Sequence, residues 1–292
     1  MSSFVIGLVL CSALLHAGWN LLARRQRSEV AFMRRMLIAV AVAGLVPAAV
    51  SEMHAQPLPL RAWLCALGSG LCIGVYFYAL AHAYAASDFT VVYPVARALP
   101  VLLVGLGDVL RGRPLSPAGW LGMVLVVSGC FLAPLRSFRE LHLRRYVNRA
   151  TGWMLVAALG TVGFTLLDKI AAEVVRQGPA TAARYGYAIY LVASLAYCGL
   201  YRAFRPHAES HPDVGWRAPT LGGVLTLGGY WLVLWAYQLS ERAGYILAFR
   251  QFSIVLGVAA AFLLYREKGL LPRLTATALL TTGLVVIALR GH

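Results

Sequence analysis

Long apolar runs alternate with short polar segments along the whole chain. Ten such runs occupy residues 4–23, 31–50, 62–86, 89–110, 117–135, 150–170, 184–201, 218–239, 243–265 and 272–289. A membrane-spanning helix needs about 20 predominantly apolar residues, whereas a transmembrane β-strand alternates apolar with polar residues. Because residues 121–135 and 254–264 are apolar on every face, the pattern predicts an all-α integral membrane protein with ten transmembrane helices.

The segments between the runs are too short to form a separate soluble domain. They contain turn-forming prolines, as at 56–59, 113–117 and 178–179. Of the 292 residues, 60% are hydrophobic and 13% are charged, which excludes a disordered chain. The five cysteines stand singly, which excludes a disulfide framework, a zinc ribbon and a thioredoxin-type motif. We therefore expect no bound cofactor and no metal.

The net charge of +15 raises the possibility of a nucleic-acid partner, but the position of the cations favours a membrane. Lysine and arginine stand in short tracts between apolar runs. The loops after the first, third, fifth, seventh and ninth runs carry 16 of the 26 cations, and the opposite loops carry eight. Since positive charge accumulates on the cytoplasmic side, we expect both termini outside and the lipid bilayer, rather than nucleic acid, as the partner.

The two halves of the chain share one spacing of runs. Residues 76–135 align with 230–289 without a gap, although only nine of those 60 positions are identical and seven of the nine are Leu or Val. The agreement of spacing, rather than of identities, predicts two five-helix repeats, 1–149 and 150–292. Because five is odd, the repeats would be inverted in the membrane, which is the architecture of many secondary transporters.

Two arginines interrupt the apolar runs near their middle, Arg97 in the fourth run and Arg250 in the ninth, where Gln251 follows. A central arginine costs roughly 2.5 to 3.5 kcal/mol on insertion, so each is a candidate functional residue. A guanidinium group suits a carboxylate or phosphate, which predicts an anionic or zwitterionic substrate. Alternatively, each arginine caps carbonyl groups of a broken helix or pairs with a carboxylate, such as Asp108 or Asp168.

Other polar residues are weaker candidates for the same site. His16, Trp19 and Asn20 share one face of the first run, where a helix–helix hydrogen bond is the alternative to proton relay. Asp168 and Lys169 are adjacent, which is typical of an interfacial pair, yet neighbouring side chains diverge by about 100° on a helix, so one of them can face a cavity.

Aromatic residues are dense in the third and eighth runs. Aromatic belts at the membrane interfaces account for those near the ends of the runs. Candidate cavity walls are Tyr76, Tyr93, Trp231 and Trp235. Pro94 and Pro100 flank Arg97 and predict a bend in the fourth helix.

Over nearly its whole length the chain resembles the EamA branch of the drug/metabolite transporter superfamily. The resemblance rests on the ten-run pattern together with four local motifs, residues 16–20, 93–97, 167–169 and 250–253. It implies a ten-helix carrier of the bacterial inner membrane that moves small metabolites or drugs, outward in many relatives, through a cavity built mainly from helices three, four, eight and nine. The family often has a glutamate after helices four and nine. Glu267 fits this pattern, but Arg113 stands at the first position.

Together these features predict a transporter rather than an enzyme, with a small metabolite such as an amino acid or organic acid as its substrate. The chain has no phosphate-binding loop and no metalloprotease motif, so a gradient must supply energy. Exchange, facilitated diffusion and coupling through His16 stay open. A membrane-embedded transferase needs a catalytic base, yet the loop 136–149 offers only Glu140 among five arginines. A lipid flippase would share both the fold and the arginines. Nothing in the sequence requires an oligomer, and a monomer suffices.

Overall fold

The computed structural model of the protein describes residues 1–24, 26, 28–86, 89–135, 137–140, 149–204, 214–265 and 270–291, without the side chains of 24, 84, 85, 89–95, 260–265 and 270. The described residues form helices and connections with no β-strand among them. One short 3-10 helix, Phe138–Glu140, precedes α6. The α-helices are α1 (Ser3–Arg24), α2 (Glu29–His54), α3 (Leu60–Ala86), α4 (Phe89–Leu110), α5 (Pro117–Leu132), α6 (Thr151–Ala172), α7 (Pro179–Ala203), α8 (Arg217–Leu239), α9 (Ala243–Arg250), α10 (Phe252–Tyr265) and α11 (Leu270–Arg290).

The all-α prediction is confirmed. Within the described part of the chain, six helices are long and apolar enough to cross a membrane: α1, α2, α3, α6, α8 and α11. Two further apolar stretches, Pro117–Leu132 and Ala243–Ala259, are shorter. The structure therefore supports a multi-pass protein, and the count of ten membrane crossings stays a prediction.

Large apolar side chains cover the outside of the bundle. Val46 on α2, Leu159 on α6 and Leu195 on α7 are each more than 60% exposed, as is Val224 on α8. A water-soluble protein rarely exposes so many apolar side chains on neighbouring helices. This surface is the one that a lipid-immersed bundle requires.

The ninth apolar run is interrupted, which the sequence pattern did not predict. Helix α9 ends at Arg250 and α10 begins at Phe252, and the backbone N–H of Gln251 bonds to the carbonyl of Ala248 at 3.0 Å. In a regular α-helix this N–H would bond to Leu247 instead. The side-chain amide of Gln251 donates to the Leu247 carbonyl at 3.2 Å and so satisfies the group that the break exposes.

Helix α4 is continuous from Phe89 to Leu110 through both Pro94 and Pro100, so the bend expected there stays a prediction. The interruption lies in the other half of the chain, at Gln251. A proline removes one backbone donor, whereas the Gln251 side chain replaces a backbone hydrogen bond with one of its own. The helical run is therefore interrupted at Gln251, where a side chain supplies the hydrogen bond, and not at the prolines of α4.

Small residues allow several helices to approach closely. Helix α3 packs on α6 and α7, α1 on α8, and α5 on α11, while α4 meets α9 near the centre. A methyl group at Gly129 of α5 would lie 2.7 Å from the backbone oxygen of Ala276. One at Gly283 of α11 would lie 2.5 Å from the backbone oxygen of Gly122. Only residues without a side chain permit helix backbones to pack at this distance.

Candidate functional site

A cavity lies at the centre of the bundle, enclosed by α1, α3, α4, α6, α7, α8 and α9. Its volume of about 50 Å³ is far below the roughly 300 to 1,000 Å³ of a typical small-molecule pocket. The conformation is therefore a narrow one with room for a few water molecules. Six of the predicted site residues line this cavity: His16, Trp19, Tyr76, Arg97, Arg250 and Gln251.

Arg97 is held by side chains from two other helical segments. Its Nε donates to Oε1 of Gln251 at 3.1 Å, and a terminal nitrogen donates to Oγ of Ser253 at 2.9 Å. Its other terminal nitrogen contacts Nε2 of His16 on α1. Arg97 thus ties α4 to α1 and to the break between α9 and α10. Its guanidinium group is largely committed to neutral groups of the protein.

His16 takes part in a local network on α1. Its Nδ1 accepts a hydrogen bond from Nε1 of Trp19 at 3.1 Å, and the two rings meet edge to face. Asn20 donates to the backbone carbonyl of His16 at 2.8 Å, so its amide serves α1 itself and does not line the cavity. Both ring nitrogens of His16 are thus engaged, Nδ1 within α1 and Nε2 with Arg97 of α4, which is the helix–helix contact considered from the sequence.

Arg250 has a different environment. Its guanidinium carbon lies 5.4 Å from the centre of the Tyr230 ring, and it has no hydrogen bond or ion pair with any residue that the structure describes. The Tyr230 hydroxyl donates to Oδ2 of Asp168, which is fully buried behind the cavity wall. Oδ1 of Asp168 accepts from the hydroxyl of Tyr185 at 2.9 Å. Arg250 and Asp168 therefore contact the same tyrosine, the first at its ring and the second at its hydroxyl.

The comparisons with known proteins agree with this architecture. The model of the EamA-like transporter family matches residues 3–134. A crystal structure covers 100% of this chain and 98% of its own with a TM-score of 0.74 and 16% identity, which shows the shared fold alone. No curated protein matches the sequence.

The resemblance stated from the motifs is thus confirmed over the first half of the chain. The EamA-like family implies a membrane transporter of the drug/metabolite transporter type. The cavity includes walls from α3, α4, α8 and α9, as the resemblance implies, with further walls from α1, α6 and α7. Arg113 lies 3.9 Å from Glu241, and Glu267 lies outside the described residues.

Lys169 points away from the cavity, opposite to Asp168. Its Nζ donates to the backbone carbonyl of Tyr237 at 3.0 Å and pairs with Glu173 at 3.2 Å. Glu173 also accepts from Arg111 at 2.8 Å, and Arg111 lies 3.5 Å from Asp108. This chain of charges, Lys169–Glu173–Arg111–Asp108, joins the ends of α4, α6 and α8.

The same chain of charges reaches α9 as well. Oδ2 of Asp108 accepts from the backbone N–H of Gly244 at 2.7 Å, in the first turn of that helix. Desolvation opposes ionisation of Glu173, but the hydrogen bonds and positive charges of Arg111 and Lys169 outweigh it and lower the pKa of the carboxyl group. Neither Asp108 nor Asp168 pairs with Arg97 or Arg250, in contrast to the alternative considered from the sequence.

The two predicted tryptophans of α8 lie away from the cavity. Trp231 donates to the backbone carbonyl of Pro179 at 2.8 Å and stacks on Trp235 with ring centres 6.3 Å apart. Trp235 also meets Phe4 at 5.2 Å. They face outward because the neighbouring Tyr230 occupies the inward face of α8. The side chain of Tyr93, the remaining aromatic candidate, lies outside the described part of the structure.

The residues around the two arginines that sequence reasoning missed include Tyr230, Ser253 and Tyr185. The repeat alignment contained a signal for Tyr230, because it is identical with Tyr76 at the equivalent position. Phe164 lies between these two rings, 5.9 Å from Tyr76 and 5.8 Å from Tyr230. No local signal singled out Tyr185, whose role depends on the packing of α7 near α6.

Proposed function

We propose that the protein is a carrier that moves a small anionic or zwitterionic metabolite, such as an amino acid or organic acid, across a bacterial inner membrane by alternating access. The observation that carries this proposal is Arg250, a cation at the wall of a central cavity whose hydrogen-bond donors have no partner among the described residues. Keeping a charge inside a bundle is costly, so an unpaired one marks a site of function. A guanidinium fork offers paired donors that match a carboxylate or phosphate.

The surroundings of Arg250 support a small organic guest. Tyr76, Phe164, Tyr230 and Trp19 contribute aromatic surface to the cavity, while His16 and Thr226 contribute polar groups. Apolar walls with a few placed polar groups are typical of small-molecule sites. Because the cavity of about 50 Å³ is narrow, binding of a metabolite requires the helices to separate. A closed centre that must open is what alternating access provides.

Reciprocal helix contacts support two inverted repeats, 1–149 and 150–292. Under the alignment of the halves, α1 corresponds to α6 and α3 to α8. Helix α1 packs on α8 as α6 packs on α3, and α4 packs on α6 as α9 and α10 pack on α1. The alignment also pairs Gly129 with Gly283 and Gly122 with Ala276, and the two contacts between them are interchanged. Such exchange is expected of a two-fold relation in the membrane plane.

The chain of charges suggests which end of the carrier is closed. Asp108, Arg111, Glu173 and Lys169 lie at the ends of helices that the cation distribution directs outward, as it directs both termini. Together they join the ends of α4, α6, α8 and α9. We therefore assign this conformation a closed outer end.

The test is transport by purified protein in liposomes. Labelled L-glutamate, L-alanine, succinate and glucose 6-phosphate are supplied as a panel, and counterflow is measured with wild type, Arg250→Gln and Arg184→Gln. The matched control, Arg184, pairs with Glu52 away from the cavity. We expect counterflow of at least one anion or zwitterion, loss in Arg250→Gln and retention in Arg184→Gln.

Two results would contradict the proposal. One is transport of an anionic panel member with the same affinity in Arg250→Gln as in wild type. The other is translocation of a fluorescent phospholipid probe by a preparation that moves no solute, which would make the protein a flippase. Elution of each variant as a single species on size exclusion establishes that it is folded.

A further inference from the structure

Asp168 is a buried carboxyl group without a cationic partner. It is 0% exposed, and its two oxygens accept hydrogen bonds from the hydroxyls of Tyr185 and Tyr230. The adjacent Lys169 is turned away to the Tyr237 carbonyl and Glu173. A carboxylate without a paired charge is costly inside a protein, whereas a protonated carboxyl group is much less so. Tyrosine hydroxyls can donate to the first form and accept from the second.

The second buried carboxyl group, Asp108, provides the contrast. It is also 0% exposed, but it accepts from the backbone N–H of Gly244 at 2.7 Å and lies 3.5 Å from Arg111. A backbone donor cannot become an acceptor, and a neighbouring arginine stays charged. Asp108 therefore has a backbone donor and a nearby cation that favour its charged form, whereas the hydroxyls around Asp168 can serve both forms.

The groups that face Asp168 from its neighbours are known. Ser69 faces it from α3, and Tyr185 and Tyr230 contact it from α7 and α8. Beyond these, the titratable and charged groups around it are Cys65 and Cys72 on α3, Tyr190 on α7, Tyr237 on α8 and Arg250 on α9. Arg250 is the one cation in this set, and its guanidinium carbon lies 5.4 Å from the centre of the Tyr230 ring.

We propose that Asp168 is a proton-binding site that couples proton movement to the anion bound at Arg250. The anion and the Asp168 carboxylate compete for the same positive charge across the Tyr230 ring. Protonation of Asp168 removes one competitor, so the proton and the anion favour each other's binding. Linkage makes this preference reciprocal. The two therefore cross the membrane in the same direction. This inference rests on the proposed function, because it takes Arg250 as the anion site.

The first measurement needs no substrate. Infrared difference spectra of the purified protein, recorded between pH 5 and pH 9, report the carbonyl stretch of protonated carboxyl groups. We expect a band from a buried carboxyl group that appears at the acidic end and is lost in Asp168→Asn. The matched control is Asp108→Asn, in which we expect the band to persist. This arm tests Asp168 even if the protein transports no member of the panel.

The second measurement follows protons and solute together. Liposomes contain a pH-sensitive dye, and the panel of L-glutamate, L-alanine, succinate and glucose 6-phosphate is added outside. We expect internal acidification during anion uptake, and an apparent affinity that falls up to about tenfold per pH unit over the range in which Asp168 loses its proton. In Asp168→Asn we expect both the acidification and the pH dependence to disappear. Asp168→Glu, which retains a titratable group, should restore both.

The outcomes separate this inference from the proposed function. Anion transport that is abolished by Arg250→Gln but is accompanied by no internal acidification would overturn the coupling and leave the carrier intact. Loss of pH dependence in His16→Gln with its retention in Asp168→Asn would assign the proton to His16 and overturn the role of Asp168. Tyr230→Phe removes the bridging hydroxyl and leaves both charges, so it should weaken the coupling without removing the infrared band.

Discussion

Arg97 and Arg250 are the same residue type at nearly equivalent positions of the two aligned halves of the chain, yet their surroundings in the bundle differ. Arg97 donates to Gln251 and Ser253 and contacts His16, so it joins three helical segments. Arg250, in the same cavity wall, lies beside the ring of Tyr230 and has no hydrogen bond or ion pair with a described residue. The comparison teaches that the protein itself offsets the cost of burying Arg97, whereas at Arg250 the proposed function assigns this role to the bound substrate.

The largest expected effect is on stability, in Arg97→Gln. Charge-assisted hydrogen bonds contribute about 1.5 to 3 kcal/mol each, so losing two of them should lower the free energy of unfolding by about 3 kcal/mol. Thermal unfolding in detergent measures this, with Arg250→Gln as the matched control that should unfold near the wild-type temperature. Equal destabilisation of both variants would break the distinction between the two arginines.

The next effect is on anion affinity, in Arg250→Gln and Arg250→Lys. Loss of a charge-assisted contact of about 1.5 to 3 kcal/mol weakens binding roughly 10- to 100-fold. Lysine keeps the charge without the fork, so its affinity should lie between those of wild type and glutamine. Quenching of tryptophan fluorescence, to which Trp19 in the cavity wall contributes, measures the dissociation constant. A wild-type dissociation constant in Arg250→Gln would exclude Arg250 as the group that binds the anion.

A third prediction tests whether the two arginines occupy equivalent repeats at all. Gly129→Ala and Gly283→Ala each place a methyl group against a helix backbone, and overpacking of this kind costs about 1 to 3 kcal/mol. If the repeats are related by symmetry, the two variants should lower the unfolding temperature by similar amounts. Gly7→Ala is the control, because nothing lies within 4 Å of its added methyl group. A loss in only one variant would contradict the equivalence.

The smallest effect concerns Glu173, whose carboxylate pairs with two cations, Arg111 and Lys169. The pKa of Glu173 is lowered in the folded protein, so its ion pairs stabilise the fold above the unfolded pKa of about 4.3 and are lost as the pH falls through the folded value. Because its side chain is 36% exposed, we expect less than about 1 kcal/mol at neutral pH.

Unfolding temperatures of wild type and Glu173→Gln, measured from pH 7 down to pH 3, test that sign. The difference between them should be constant at neutral pH and should shrink in acid. A difference that grows in acid would contradict the lowered pKa of Glu173.

The sequence predicted where the site lies better than what each member does. Arg97 and Arg250 stood out because arginine is rare in an apolar run, and both line the cavity. Their different roles depend on the break at Gln251, which presents Oε1 of Gln251 and Oγ of Ser253 to Arg97. No glycine or proline occupies position 251, so helix periodicity gave no sign of it.

Side-chain direction was the second limit. Trp231 seemed the better cavity wall by size, but Tyr230 occupies the inward face of α8. Asp168 and Lys169 do diverge, as their adjacency on a helix predicts, yet Asp168 meets Tyr230 one layer behind the cavity. Which face of a helix is inward depends on its partners, and in a run that is apolar all round periodicity carries little of that information.

The interruption at Gln251 divides the ninth apolar run into two helices, α9 and α10, with a joint of one residue between them. Arg250 is the last residue of α9, and Ser253 belongs to α10. Tilting either helix must change the separation between the guanidinium group of Arg250, which lies beside Tyr230, and the hydroxyl of Ser253, which is bonded to Arg97. Under the proposed alternating access, this joint would carry a motion at either membrane surface to the middle of the bundle without any loop having to refold.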